Sequence, residues 1–179
     1  MDSTKKSVIG WISAEVRKGM LLVSAFVCLS GCALVGHGSG SGDGLMTWDQ
    51  ANVEYQNSTQ GFPVALPAGD VFPASMPPAK GSSGQLFGEG YGAMQAYFFA
   101  QCAYEKVAIA NQATDQAAVS SALDAIERID ALPVWQQHFE DGDGGWKDAI
   151  DKARLGDFTV FTQFYDSDCT SPWITAGLS

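Results

Sequence analysis

The residues best suited to chemistry lie in one short segment, His138-Phe-Glu-Asp-Gly-Asp-Gly-Gly145. Asp141 and Asp143 are carboxylates separated by a single glycine, a spacing that calcium-binding loops use. A complete EF-hand loop that begins at Asp141 would need glycine where Trp146 stands and glutamate where Lys152 stands. Neither Trp146 nor Lys152 is the residue that an EF-hand loop requires at its position. We therefore predict a solvated turn between helices, no metal and no cofactor, with Asp141 and Asp143 as weak candidates for a divalent cation.

Hydrolysis would need a nucleophile, a base and a group that orients the base. His138 is the one histidine after residue 45 and can serve as the base, with Glu140 or Asp141 beside it. No Gly-x-Ser-x-Gly segment provides a nucleophile elbow. Three further carboxylates could pair for glycoside cleavage, but such residues on helices are normally solvated: Glu89, Glu105 and Asp124. We predict that the chain is not an enzyme, with a small hydrolase using His138 as the alternative.

Helices must position these residues. Over residues 85–112, apolar residues recur at three- and four-residue steps, which predicts the strongest helix of the chain. The residues on this stripe are Phe87, Tyr91, Met94, Phe98, Cys102 and Ile109. A second helix is predicted from a cap at Thr114 or Asp115 to Leu132, just before Pro133. The short joint between the two predicts an antiparallel helical hairpin.

Shorter helices are predicted in the C-terminal part. Residues 134–139 fit one further turn, and residues 145–155 fit a helix with Trp146 and Ile150 facing inward. Residues 158–165 fit a helix capped by Asp157, although they also have strand propensity. We favour the helix because no neighbouring segment shows the alternation of a partner strand. Trp135, Trp146 and Trp173 could line a groove, but we predict that they serve the core.

Residues 48–78 are rich in proline and in short apolar pairs such as Phe62-Pro63 and Phe72-Pro73. Proline fixes its own φ and biases the residue before it toward extended conformations. We therefore predict an extended arm that lies over a helical core. Residues 48–55 could form a short strand or a helical turn, and residues 80–84 a loop.

Arg17 and Lys18 precede an apolar run, residues 20–28, that ends in Leu29-Ser-Gly-Cys32. This arrangement resembles the signal sequence of bacterial lipoproteins. The resemblance implies that residues 1–31 are removed, that Cys32 is lipidated, and that the rest of the chain lies on the extracytoplasmic face of the cell membrane. The alternative is a transmembrane anchor that reaches about Gly36, because residues 19–36 are uncharged. Both interpretations place the bulk of the chain outside.

Residues 32–44 are rich in glycine and serine and predict a flexible tether, followed by one domain over residues 45–179. The whole chain has 10 basic and 20 acidic residues. Removal of the signal takes away Lys5, Lys6, Arg17 and Lys18 together with Asp2 and Glu15, which leaves 6 basic and 18 acidic residues and a net charge of −12. Such a field repels nucleic acid, so we predict no nucleic-acid partner.

Cys102 and Cys169 are the two cysteines of the predicted domain. An even pair in an exported domain predicts a disulfide, which would stabilise the fold by roughly 4 kcal/mol. The predicted fold is thus mainly α: a small helical domain with an extended Pro-rich N-terminal arm and one disulfide.

Three segments also resemble small uncharacterised envelope proteins of high-GC Gram-positive bacteria: Leu66-Pro-Ala-Gly-Asp-Val-Phe-Pro73, Glu89-Gly-Tyr-Gly92 and Phe98-Phe-Ala-Gln-Cys-Ala-Tyr-Glu105. That resemblance implies no activity. We predict a lipid-anchored cell-envelope protein that acts as a binding or interaction module for an unidentified envelope protein. The alternatives are an envelope hydrolase using His138 and a ligand-binding accessory protein of a transporter.

Overall fold

The computed structural model describes residues 44–77 and 84–179. This part of the chain is mainly helical, as predicted. Its elements are β1 (Leu45–Met46), α1 (Trp48–Gln60), β2 (Phe87–Gly88), α2 (Tyr91–Asn111), α3 (Gln116–Asp130), α4 (Pro133–His138), α5 (Gly145–Arg154), α6 (Thr159–Asp168) and α7 (Pro172–Thr175). The predicted signal, Cys32, the tether up to residue 43 and most of the predicted loop at 80–84 lie outside the described residues.

Helix α1 corrects the prediction of an extended arm that starts at Trp48. Thr47 and Gln50 form a capping box, in which each side chain accepts from the other residue's backbone N–H. No proline follows until Pro63, so nothing stops the helix before Gly61. Ala51 and Tyr55 are fully buried and pack on α2.

The extended arm therefore covers residues 61–77. The arm forms no strand, so its carbonyl groups need donors other than those of a neighbouring strand. Side chains of α1, α2 and α7 supply them. The pairs, donor first, are Tyr104 hydroxyl to Ala65, Tyr55 hydroxyl to Pro73, Gln56 amide to Ala74, Trp173 indole to Ser75 and Trp48 indole to Pro77. The arm is thus held against the helices along most of its length.

The end of the chain also holds the arm. The backbone N–H and the hydroxyl of Ser179 donate to Asp70 Oδ1 at 2.6 and 2.9 Å, and the Val71 N–H donates to the Gly177 carbonyl at 2.9 Å. Asp70 is 9% exposed. A carboxylate at this depth needs such donors.

Helix α2 is central, but it begins at Tyr91 rather than at residue 85. Phe87 and Gly88 pair with Met46 and Leu45 in a small antiparallel ribbon that the sequence did not predict. Gly90 then turns the chain into α2 with a left-handed φ of 87°. At Gly92, a Cβ atom would lie 1.9 Å from the Ala51 carbonyl oxygen, so the close contact between α1 and α2 requires glycine there.

The remaining helices follow the prediction closely. Asp115 caps α3 and accepts from two backbone N–H groups, and α2 and α3 are consecutive helices packed on each other, in line with the predicted hairpin. Helix α5 buries Trp146 and Ile150, and residues 159–168 form a helix rather than a strand. The core between α2, α3, α5 and α6 contains, among others, Leu123, Ile126, Trp146, Ile150, Phe158 and Phe161.

Cys102 in α2 and Cys169 at the end of α6 form a disulfide, with Cα atoms 5.4 Å apart. Both residues are buried, at 0% and 1% exposure. The bond joins the central helix to the C-terminal part of the chain, as predicted. In the described ranges, no helix has both the length and the apolar composition needed to cross a bilayer.

Candidate functional site

The carboxylates of the predicted turn cap a helix. Asp141 Oδ1 accepts from the Trp146 N–H at 3.0 Å, and Asp141 Oδ2 accepts from the Lys147 N–H at 3.0 Å. Asp143 Oδ1 accepts from the Gly145 N–H at 3.2 Å. Backbone N–H groups at a helix start have no partner within the helix, and a carboxylate is a favourable one. Asp141 and Asp143 therefore have a structural role at the start of α5.

Metal binding would need several ligands at one place. Within residues 44–77 and 84–179, no three His, Cys, Asp or Glu side chains are grouped so that they could hold a metal ion. Asp141 accepts from two N–H groups of α5, and within the described residues no hydrogen bond joins it to His138.

His138 instead lines an open pocket of about 400 Å³ with Glu54 and Glu89. A Cβ atom at Gly90 would lie 2.2 Å from His138 Nε2, so the imidazole lies against the Gly90 backbone. Glu54 Oε1 accepts from the Gly90 N–H at 3.0 Å, and Oε2 accepts from the Gly92 N–H at 2.9 Å. Glu54 thus caps α2 from α1, and this brings a base and two carboxylates to one place.

This pocket contains part of what hydrolysis needs. His138 is exposed and can exchange protons with a bound molecule. The described lining, which also includes Gly90, Val134 and Gln137, contains no hydroxyl or thiol nucleophile. The N–H groups of Gly90 and Gly92 already donate to Glu54 and are not free to stabilise an oxyanion.

Glu105 corrects the expectation that the helical carboxylates are solvated. Its exposure is 2%, whereas Glu89 is exposed and Asp124 has an exposed carboxylate. Burial raises the pKa of Glu105 well above its ordinary value, the hydrogen bond from Gln101 lowers it, and the charges of Asp168 and Asp130 raise it further. Glu105 therefore holds its proton more tightly than an exposed glutamate does.

The surroundings of Glu105 are unusually polar for a core. Gln101 is 5% exposed, and its Oε1 atom has no hydrogen-bond partner among the described residues. Glu105 Oε2 lies 3.8 Å from Cys169 Sγ, so the carboxyl group touches the disulfide. The disulfide itself is buried, so an external thiol has no direct access to it.

Asp130 is the second carboxyl group with a strongly changed environment. Its Oδ2 atom accepts from the Trp146 indole N–H at 2.8 Å, whereas Oδ1 is buried without a partner in the described part of the chain. Burial raises the pKa of Asp130 from 3.8 to about 6, with a lowering contribution from the Trp146 hydrogen bond and raising ones from Glu127 and Asp141. Trp146 is 5% exposed and Trp135 3% exposed, which confirms that these indoles belong to the core.

Arg128 is the most informative cation of the described domain. Asp124 stands one helical turn before it and would be its natural partner on α3. Instead, the Arg154 guanidinium reaches from α5 and donates to Asp124 at 2.7 Å and to Glu127 at 2.8 Å. Lys147 and Lys152 pair with carboxylates of their own helix, and Lys106 donates to the Ser179 carbonyl. Among the described lysines and arginines, Arg128 alone has neither an ion pair nor a hydrogen bond.

Arg128 lines an open groove of about 420 Å³ between the arm and the α2–α3 hairpin. One wall is the arm at Pro67 and Ala68, and the floor is a stripe of α3 with the hydroxyl of Ser121. Burial raises the pKa of Tyr104 in the same groove, and the charge of Arg128 lowers it, so the guanidinium lies close enough to act on the phenol. The Tyr104 proton is donated to the Ala65 carbonyl, which fixes this wall.

Comparison of the chain with protein-family models, with curated proteins and with solved structures found no match.

The sequence singles out Glu105 but not its burial, and it does not single out Arg128. Gln101 and Glu105 are one turn apart on a helix whose other positions are almost all apolar, and that pattern was a signal for a buried polar pair. For Arg128 the sequence contains no such signal. Its expected partner, Asp124, pairs instead with Arg154, which is remote in sequence.

Proposed function

We propose that this chain is a lipid-anchored cell-envelope protein whose helical domain binds a partner protein on the extracytoplasmic face of the membrane. The observation that carries the binding role is the groove at Arg128, where a cation without a carboxylate partner lies beside small apolar walls in a strongly acidic domain. Binding sites combine apolar surface with a few placed polar groups, and this groove has both.

The anchor rests on Leu29-Ser-Gly-Cys32 and the basic and apolar segments before it. We expect cells fed an alkyne analogue of palmitate to label the protein, and we expect Cys32→Ala to abolish both the labelling and the cleavage at this site. Cys28→Ala is the matched control, because it also removes a thiol from the same region. An unchanged protein size and unchanged acylation in Cys32→Ala would refute the lipid anchor.

Site-specific photo-crosslinking in intact cells tests the binding role. A benzophenone amino acid at Ser121 lies in the groove, and one at the exposed Asp166 on α6 is the control. We expect an envelope protein that crosslinks from position 121 and not from position 166, and whose crosslink is lost in Arg128→Gln. Equal crosslinking from both positions, or a crosslink that does not depend on Arg128, would refute the groove as the binding surface.

The pocket at His138 supports a second candidate, a small envelope hydrolase. Here His138 would act as a general base on a water molecule, with Glu54 and Glu89 beside it. The test is turnover of ester and peptide substrates by the wild-type protein and by His138→Ala. The hydrolase proposal fails if both proteins show the same rate.

A further inference from the structure

We infer that the groove at Arg128 recognises the free carboxylate at the C-terminal end of a peptide chain with small apolar side chains. This inference rests on the proposed binding function and names the ligand class for the same groove. It follows from the donors of the groove, from its length and from its charge.

The donors are suited to a carboxylate. A guanidinium presents five N–H groups in a planar fork that matches two carboxylate oxygens. Arg128 is exposed, and within residues 44–77 and 84–179 no side chain or backbone group accepts a hydrogen bond from it, while Arg154 engages Asp124 and Glu127. Ser121 adds a hydroxyl on the same stripe of α3.

The length of the groove is suited to about three residues. Ser121 and Arg128 are seven residues apart on a helix, which corresponds to about 10.5 Å along its axis. Extended chain advances about 3.3 to 3.6 Å per residue. The two positions on α3 are therefore separated by about the length of three extended residues.

The walls of the groove limit the size of the side chains that a bound peptide can have. Apart from Arg128, Ser121 and Tyr104, the groove is lined by small or flat apolar residues, which leave room for methyl-sized side chains: Pro67, Ala68, Val107, Ala118 and Ala122. Such walls contact alanine-sized groups without moving the arm, which Tyr104 holds at Ala65.

The charge argues for a chain end rather than an acidic segment. One cation in the groove can compensate one carboxylate, and a ligand with several acidic residues would meet the net negative charge of the domain. A peptide C-terminus brings a single carboxylate on a main chain that can otherwise be apolar.

The test is ligand-observed ¹⁹F NMR with the full chain in detergent micelles and three probes. The first is trifluoroacetyl-trialanine with a free carboxylate, and the second is the same peptide as its C-terminal amide. The third carries one glutamate at its central position and a C-terminal amide, so that its single charge lies on a side chain. The protein variants are Arg128→Gln and, as a control with the same charge change on α5, Lys147→Gln.

We expect the free acid to bind with a Kd of about 1 mM and both amides to bind at least about 10-fold more weakly. Arg128→Gln should weaken the free acid by at least about 10-fold, whereas Lys147→Gln should leave its affinity unchanged. Circular dichroism of each variant checks that it is folded.

Three results would overturn the inference: no binding of the free acid at about 20 mM, equal binding of the acid and either amide, or equal binding to Arg128→Gln and wild type. These NMR results can be distinguished from a failure of the proposed binding function, which the crosslinking experiment tests. If the crosslink from position 121 still depends on Arg128 while the free acid does not bind, the groove binds a partner, but not through a chain end.

Discussion

Replacement of Asp130 by asparagine should make the protein less sensitive to rising pH. Asp130 Oδ2 accepts from the Trp146 indole N–H at 2.8 Å, and Oδ1 is buried without a partner among the described residues. An asparagine oxygen can accept the same indole hydrogen bond, so Asp130→Asn keeps this contact and removes only the titration. The Asn amide N–H₂ group takes the place of the carboxyl oxygen that has no partner.

The magnitude follows from the raised pKa. Asp130 has a pKa of about 6 in the folded protein and an ordinary value of 3.8. The folded state therefore holds the proton more tightly than the unfolded state. This contribution to stability is fully present below the unfolded pKa and is lost as pH rises through the folded pKa. Between pH 4 and pH 8 the loss amounts to about 2 to 3 kcal/mol.

Urea unfolding at pH 4 and pH 8, followed by circular dichroism, measures this effect. We expect the free energy of unfolding of Asp130→Asn, relative to wild type, to rise by about 2 to 3 kcal/mol from pH 4 to pH 8. Asp166→Asn is the control, because it makes the same charge change at an exposed position on α6. A difference between Asp130→Asn and wild type that does not change with pH would refute the protonated, buried Asp130.

Four further outcomes are expected from urea unfolding. Burial raises the pKa of Glu105, so wild type should lose stability as the pH rises, and Glu105→Gln should not show this loss. The free energy of unfolding of Glu105→Gln relative to wild type should therefore be higher at pH 8 than at pH 4, and equal differences at both pH values would contradict this. The double variant Cys102→Ser/Cys169→Ser should lose roughly 4 kcal/mol, and a loss below about 1 kcal/mol would contradict the role of the disulfide as a staple. Gly92→Ala should cost about 3 kcal/mol because its Cβ would lie 1.9 Å from a carbonyl oxygen of α1, whereas Gly142→Ala, with no atom within 4 Å, is the control. Asp141→Ala should cost about 1 kcal/mol through its lost capping bonds, and a calcium-dependent rise in the Tm of wild type would instead indicate a metal site.

Local signals were enough to predict much of the helical fold. Asp115 marked the start of α3, and the spacing of Trp146 and Ile150 marked the buried face of α5. These signals act within one or two helical turns, so the sequence displays them directly. The disulfide is predicted from the even number of cysteines in a domain that is expected to be exported, and this prediction needs no assignment of helices.

Two misses in the fold have different physical causes. The Thr47 and Gln50 capping box is a local signal for the start of α1, but the prolines from residue 63 onward favour an extended arm, and this signal does not extend back to residues 48–60. The β1–β2 ribbon could not be predicted in the same way, because each strand has two residues and the pairing of Met46 with Phe87 depends on the packing of α1 on α2.

The candidate site depends on contacts that are distant in sequence. The arm reaches the groove because the Tyr104 hydroxyl donates to the Ala65 carbonyl, and Arg128 stays free because Arg154 engages two carboxylates of α3. Composition and helical periodicity predict neither the Tyr104–Ala65 hydrogen bond nor the ion pairs of Arg154. They place Arg128 on α3 but leave Asp124 as its expected partner.

If the groove binds a carboxylate as we infer, the ion pair of Asp124 with Arg154 keeps Asp124 from competing with that ligand for Arg128. At physiological ionic strength the Debye length is about 8 Å, so remote carboxylates act weakly on the groove and the nearest ones dominate. Asp124 stands one helical turn before Arg128 and Glu127 directly before it, and both carboxylates accept hydrogen bonds from Arg154. Under this proposal α5 would influence the affinity of a groove that it does not line, because a movement of Arg154 away from α3 would leave Asp124 available to pair with Arg128.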